Sequence, residues 1–249
     1  MTAFYNEIDP YCAQWLRNLI DAGHIAPGVV DERSIEDITP NELRGYTQCH
    51  FFAGIAVWSY ALRLAGWPDD RPVWTGSCPC QPFSSAGKGH GLADERHLWP
   101  AWFHLIRERV PPVVFGEQVA SAADWLRLVH GDLEGVGYAV GAVPIEAASA
   151  GAPHRRDRVW LVADTERNEQ SREEPRFWPA GRMGRVEQSM AWDGGWKAAL
   201  ARFRVVDDGI ARCVAATDAA RNAIVPQAAA AVIRAYMESR QVLAERIAA

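Results

Sequence analysis

The segment Gly76-Ser77-Cys78-Pro79-Cys80-Gln81-Pro82-Phe83-Ser84 holds the residue with the clearest chemical potential. Pro79 and Pro82 fix the backbone on either side of Cys80, so its thiol sits in a stiff loop. Once ionised, a thiol held in this way is a nucleophile. The competing reading is a small buried hydrophobe, which suits a Pro-Cys-Gln-Pro loop poorly because the loop has no core periodicity. Zinc is the other alternative, since Cys78, Cys80, His90, His97 and His104 are all ligand types. The one-residue gap between the cysteines is not a metal knuckle, however, and no second cysteine pair follows, so no metal is expected. Elsewhere Glu7, Asp31 and Glu117 each close a short apolar run, Phe52-Ala53-Gly54 makes a glycine turn, and Arg156 and Arg158 open another run. Acids at strand tips suit ribose hydroxyls or an adenine amine, and a glycine turn before a helix lets a ligand approach the backbone. Singly these are weak signals; they gain weight if one sheet edge gathers them.

Short apolar runs alternate with longer amphipathic ones, the pattern of a parallel sheet flanked by helices. Strands are expected at 2–7, 28–31, 48–53, 72–77, 112–116, 138–146 and 158–163, with helices at 10–22, 57–66, 97–110, 122–135 and 226–247. The last helix opens on Pro226 and continues through alanines, both favourable there. The fold class is therefore α/β, a Rossmann-like doubly wound seven-stranded sheet. In an open sheet of this kind ligands bind beyond the carboxyl ends of the strands. The pattern fails over 165–212, which is polar and glycine-bearing and carries Trp178, Trp192 and Trp196 without a clear period. We read 1–164 with 213–249 as one domain and 165–212 as a small recognition segment, since long excursions from a compact domain are usually functional.

The chain has 249 residues and a net charge of -5, which by itself argues against a nucleic-acid partner. The charge is uneven. Residues 1–150 hold 10 Lys and Arg against 18 Asp and Glu, whereas residues 151–212 hold 12 against 10. Arg155, Arg156 and Arg158 crowd together in the second stretch, followed by Arg172, Arg176, Arg182 and Arg185. A local basic surface for nucleic acid and a merely solvated face are both compatible with this. Five cysteines, too few and too irregular for a disulfide framework, suggest a reducing cytosol. No apolar run is long enough for a membrane span, and the opening residues lack a signal-like core.

Taken together, these motifs resemble the C5-cytosine DNA methyltransferases. PCQPFS at 79–84 resembles the family's nucleophile loop, and Gly91, Asp94, Arg96 and Leu98 resemble the region after it. GEQV at 116–119 is similar to the Glu-Asn-Val motif, HRRDR at 154–158 to Gln-x-Arg-x-Arg, and NAIVPQ at 222–227 to the closing Gly-Asn motif. FFAGI at 51–55 resembles the cofactor loop, and NEIDPY at 6–11 the ribose-binding acid segment.

The resemblance implies the fold of an S-adenosylmethionine-dependent methyltransferase and a reaction on carbon 5 of cytosine in double-stranded DNA. Carbon 5 is a poor nucleophile, so the Cys80 thiolate first adds to carbon 6 and pushes electron density onto it. Glu117 hydrogen-bonds or protonates N3, Arg158 holds O2, and Arg156 supports the loop or a phosphate. The methyl group is added, the carbon 5 proton leaves and Cys80 is expelled. A stacked base is out of reach, so the target is flipped out. Gln81, Pro82, Ser84 and Arg155 would face the substrate. S-adenosyl-L-methionine would be held by Phe52, Gly54, Ile55, Glu7, Ile8, Pro79, Leu98 and Asn222, with Asp31 near the adenine amine in competition with Glu32, Glu36 and Asp37. A monomeric, cytoplasmic, bacterial or phage-encoded protein serving restriction–modification or protection of phage DNA would fit. A cytosine methyltransferase of transfer RNA and a catalytically silent DNA-binding homologue are the alternatives.

The chain departs from the family in several places. The acid-bearing segment and the Asp31 segment precede the glycine loop instead of following it, so a permuted path through the same sheet is expected, with Glu7 beside Gly54. Ala56 and Val57 stand where the family tends to have Gly-Gly, adding side chains where backbone and cofactor come close, so they bear on cofactor affinity and on whether the donor is unmodified S-adenosylmethionine. Gln118 replaces Asn, His154 replaces Gln, and Arg221 replaces Gly before Asn222. The short recognition segment implies a short or relaxed target sequence.

Overall fold

The computed structural model describes residues 2–79, 98–150, 157–165 and 224–248. The strands are β1 (Thr2–Asn6), β2 (Gly28–Asp31), β3 (Tyr46–Phe51), β4 (Val73–Gly76), β5 (Val113–Val119), β6 (Ala139–Glu146) and β7 (Asp157–Asp164). The helices are α1 (Pro10–Asp21), α2 (Val57–Ala65), α3 (Trp99–Arg109), α4 (Ala123–Gly135) and α5 (Pro226–Ala248). One seven-stranded sheet runs in the order β2-β1-β3-β4-β5-β7-β6. The pairings from β2 to β5 are parallel, and β7 runs antiparallel to both its neighbours. The sheet is thus doubly wound as expected, with one reversed strand that the expectation of a parallel sheet did not include. The connection from β6 into β7 is too short for a crossover helix, and a strand pair joined that way must be antiparallel.

Alternation along the strands sorts the core onto two faces. Phe4, Phe51, Trp74, Val114 and Leu161 pack with Trp99, Trp102 and Leu105 of α3 and Trp125 and Val129 of α4. On the opposite face Val113, Phe115 and Trp160 pack with Trp58, Ala61 and Leu62 of α2 and Ala228, Ala229 and Ile233 of α5. The small side chains of Ala228, Ala229 and Ala230 let α5 lie close to α2, and Arg234 donates to the Leu64 carbonyl at 2.6 Å. Ala3 and Tyr5 of β1 are buried under α1 with Leu16. Local signals start and stop the helices. The Asp9 carboxylate caps α1 by accepting from the Cys12 N–H at 2.9 Å, with Pro10 in the first turn. Gly66, at φ +84, closes α2 in the left-handed conformation that glycine takes without penalty. Among the described residues no helix is long and apolar enough to cross a membrane. The described residues belong to one compact unit, and the expected recognition segment beyond Thr165 lies outside them.

Val110 ends α3 at φ +45 while 54% exposed. A β-branched residue in the left-handed region is strained by about 1–2 kcal/mol, and its exposed side chain contributes little packing in return. Val110→Gly is therefore expected to raise stability by about 1 kcal/mol, read as an upward shift of the urea midpoint at constant slope.

His50 carries a pH dependence. It is buried beside Tyr5, stacked at 4.9 Å, and its Nδ1 shares a hydrogen bond with Thr75 Oγ1 at 2.8 Å. Burial pushes its pKa down from 6.5 to about 3. The unfolded chain therefore takes up a proton that the folded chain refuses, and stability, complete above pH 6.5, falls as the pH drops toward 3 by up to about 1.4 kcal/mol per unit. Denaturant titrations between pH 7 and 4.5 are expected to show this slope, and His50→Gln to flatten it. The depressed carboxylates of Asp31 and Glu42 lose their contributions only at lower pH.

Candidate functional site

A single line of paired residues crosses the sheet near one edge: Asp31, Asn6, Phe51, Gly76, Gly116 and Leu161 on β2, β1, β3, β4, β5 and β7. In the parallel strands the next residues run past this line onto the carboxyl edge. Because β7 is reversed, it reaches the same edge through its beginning. Glu7, Phe52 to Gly54, Ser77 to Pro79, Glu117 and Arg158 therefore gather along one rim.

Glu7 meets the glycine turn directly. Its Oε2 accepts from the Gly54 N–H at 2.6 Å and its Oε1 from the Asp9 N–H at 2.9 Å. Around them the Ala53 N–H donates to the Asn6 carbonyl at 3.0 Å and the Glu7 N–H to the Asp31 carbonyl at 3.0 Å. This places the acid segment beside the glycine loop although it comes first in the chain, the permuted path expected above. The loop itself alternates through the left-handed region, with φ +51 at Phe52, +53 at Gly54 and +72 at Ala56. Non-glycine residues held this way cluster at ligand sites. The left-handed turn at Phe52 also ends β3 two residues earlier, at Phe51, where a strand through Ala53 was expected. Among the described residues a Cβ on Gly54 would meet nothing within 4 Å, so they leave the space over the turn open. Ile8 is 65% exposed and Ile55 half-buried at the same rim.

Ala56 and Val57 do not crowd this space. Ala56 is 2% exposed within the α1 core and Val57 is buried against α5 and β5, so both side chains point into the protein. Asp31 carries a forked ion pair with Arg33, at 3.1 and 2.6 Å, and Arg33 reaches on to Glu42 at 2.9 Å. The Arg33 guanidinium holds the Asp31 carboxyl below the usual carboxylate range. Of its competitors, Glu32 is paired with Arg17 at 2.6 Å on the surface.

The other half of the rim belongs to β4, β5 and β7. Glu117 was expected just past the end of its strand; it lies inside β5, because antiparallel pairing with β7 prolongs the ladder to Val119 and Arg158. Glu117 stands opposite Trp160, and Arg158 two residues away on the same face brings its Nε 2.7 Å from Glu117 Oε1. The Glu117 side chain is only 8% exposed and that of Arg158 19%. The neighbouring Gln118 donates from Nε2 to the Cys78 carbonyl at 3.2 Å, and its Oε1 accepts from the Val119 N–H at 2.9 Å. That bond holds β5 against the chain leaving β4, where Cys78 is buried and Pro79 exposed. Leu98 caps α3 and packs on the core beneath. Cys80, Gln81, Pro82, Ser84, Arg155, Arg156 and Asn222 lie outside the described residues.

The model of the C-5 cytosine-specific DNA methylase family matches residues 63–190, just over half of the chain. The chain belongs to that family. Among its relatives, the type II methyltransferase M.AluI of Cellulosimicrobium cellulans is 34% identical over 116 residues, covering 41% of this chain and 22% of the relative. The type II methyltransferase M.MspI of Moraxella sp. is 33% identical over 99 residues, covering 36% and 23%. The match thus spans about a quarter of those relatives' own length. Among solved structures, a putative DNA modification methyltransferase encoded within an E. coli prophage aligns at a TM-score of 0.43 with 17% identity, covering 65% of this chain and 39% of the other. Spodoptera frugiperda DNMT2 aligns at 0.44 with 16% identity, covering 72% and 45%.

Within this family member, the motif residues did not reveal Trp58 and Ser77. Trp58 donates from Nε1 to Ser77 Oγ at 3.0 Å, across the sheet edge. Ser77 stands three residues before Cys80, yet nothing in its type distinguishes it. The partnership follows from topology, which brings the first turn of α2 over the end of β4.

Proposed function

We propose that this chain transfers a methyl group from S-adenosylmethionine to carbon 5 of cytosine in DNA. The observation that carries the proposal is the Glu117–Arg158 pair at 2.7 Å, with Glu117 buried and Arg158 half-buried, beside the strand exit that leads through Pro79 toward Cys80 in sequence. A protonated carboxyl group and a guanidinium side by side match the N3 and O2 edge of a cytosine, and the thiol of Cys80, which follows Pro79 in sequence, is the type of nucleophile that attack at carbon 6 needs.

The rim also fits the cofactor. Both Glu7 oxygens accept backbone N–H groups, and each keeps a further acceptor position for a ribose diol. Among the described residues the turn over Gly54 is open, and the burial of Ala56 and Val57 speaks against their blocking the cofactor. Glu7, Phe52, Gly54, Ile55, Ile8, Pro79, Leu98 and Asn222 would hold the cofactor, with Asp31 at its adenine end shared with Arg33. When bound, it supplies an electrophilic methyl group.

The Cys80 thiolate adds to carbon 6 of a flipped-out base, forming the sulfur–carbon bond while Glu117, in its protonated form, gives its proton or a hydrogen bond to N3 and Arg158 holds O2. Carbon 5 takes the methyl group, the donor leaving as a neutral thioether, and then loses its proton to a base; that electron pair restores the carbon 5–carbon 6 double bond as the sulfur–carbon bond breaks, which releases the Cys80 thiolate and returns the N3 proton to Glu117. Arg156 and Arg155, with the basic stretch after them, would face phosphates, so binding weakens steeply with salt. The region 165–212 would serve as the recognition element.

The test is transfer of a labelled methyl group from S-adenosylmethionine to duplex DNA and to transfer RNA. Label in DNA cytosine alone supports the proposal. Label in transfer RNA alone moves the substrate to RNA, and cofactor binding without label in either rejects the activity.

A further inference from the structure

Trp58 stands where three parts of the rim meet. It is the second residue of α2, directly after the glycine loop, and is 3% exposed. Its ring stacks on Phe115 with centroids 6.1 Å apart and meets the edge of Trp160 at 5.6 Å. Phe115 precedes Glu117 by two residues on β5, and Trp160 is the residue paired with Glu117 on β7. The Trp58 N–H donates to Ser77 Oγ at 3.0 Å, and the next residue, Cys78, has its carbonyl held by Gln118 at 3.2 Å. The chain leaving β4 is therefore tethered at two consecutive residues, from α2 on one side and from β5 on the other. Pro79 follows with its fixed φ, which leaves little freedom before Cys80.

We infer that Trp58 is a positioning residue, whose hydrogen bond to Ser77 ties the first turn of the cofactor-loop helix to the strand exit that carries the nucleophile. The inference rests on the proposed role of Cys80, but the tether itself is a property of the ligand-free protein. A buried indole N–H that loses its acceptor has no water to replace it, so removing either partner breaks the same bond. The aromatic packing of Trp58 survives in Trp58→Phe, and the hydroxyl survives in Ser77→Thr.

The experiment uses the full chain in five forms: wild type, Ser77→Ala, Ser77→Thr, Trp58→Phe and the double variant Trp58→Phe/Ser77→Ala. Hydrogen exchange without ligand reads the tether. The peptide over residues 75–83 is expected to exchange faster in Ser77→Ala and Trp58→Phe, with β1 and β5 unchanged and Ser77→Thr close to wild type. In steady-state methylation both single variants are expected to lower kcat about tenfold with KM for DNA and cofactor little changed. The double variant should be no slower than either single one, because one bond is lost in all three. Unchanged exchange over 75–83, multiplying losses in the double variant, or loosening spread evenly through α2 and β5 would each overturn the inference. If wild type itself does not methylate, the proposed function fails while the exchange measurement still decides the tether.

Discussion

Arg158→Ala is expected to destabilise the protein by about 3 kcal/mol and to abolish most of its activity. Arg158 Nε lies 2.7 Å from Glu117 Oε1, and the Glu117 side chain is only 8% exposed. Removing one partner of a buried pair leaves the other charge in a poorly hydrated site, at a cost of about 3–5 kcal/mol before relaxation. Glu117→Gln removes the charge that needed the guanidinium and keeps the shape, so its cost to folding should be smaller, about 1 kcal/mol. Its cost to catalysis should not be smaller. A carboxyl group that hydrogen-bonds or protonates N3 contributes on the order of 10² to 10⁴ in rate, and an amide cannot supply the proton. The two variants therefore separate: Arg158→Ala loses stability and turnover together, and Glu117→Gln loses mainly turnover. Arg158→Lys should recover little, since an ammonium does not present the Nε and fork donors of a guanidinium. Urea midpoints and kcat for the three variants check this, and an Arg158→Ala protein as stable as wild type would contradict the reading of the pair.

Gly76→Ala is expected to cost about 3 kcal/mol, a large effect for one methyl group. A Cβ at Gly76 would lie 2.6 Å from the Trp102 ring, well inside contact distance. The ring has nowhere to go: Trp102 is 1% exposed and walled by Trp99 at 5.6 Å, Phe51 at 6.2 Å and Phe52 at 6.1 Å. Overpacking of this kind costs about 1–3 kcal/mol and occasionally more. The strain would also pass to function, since Phe52 belongs to the glycine loop and Ser77 follows Gly76. We expect a raised KM for the cofactor in whatever protein folds. Trp102→Phe in the same chain should restore at least half of the lost stability, because the smaller ring vacates the space and the Trp102 N–H has no hydrogen-bond partner among the described residues. Thermal and urea denaturation of the two single variants and the double variant read this directly.

Much of this architecture was legible because each element carries its own periodicity and caps. All seven strands and five helices lie within a few residues of their expected positions, and Glu7 does meet Gly54 across a permuted path. What escaped was set by long-range pairing. GEQV reads as a strand ending at its glycine, but β7 extends the ladder through Glu117. Phe52 was counted as a strand residue, yet the turn into Gly54 forces it to a left-handed φ of +51. Ala56 and Val57 left the fit of the cofactor open because residue type alone does not say which way a side chain points. Trp58 and Ser77 are 19 positions apart, and no local pattern foretells that an indole in one helix will find a hydroxyl at the end of a neighbouring strand.

The central claim, a covalent Cys80 intermediate on a flipped cytosine, is tested most directly with duplex DNA containing 5-fluorocytosine in place of cytosine. Fluorine at carbon 5 cannot leave as the proton does, so the sulfur–carbon bond persists once the methyl group has been added. With S-adenosylmethionine present, the wild-type chain is predicted to run as a denaturation-resistant protein–DNA adduct whose DNA maps to Cys80, and Cys80→Ala is predicted to form none. Cofactor binding without any adduct, or an adduct that persists in Cys80→Ala, would contradict the account.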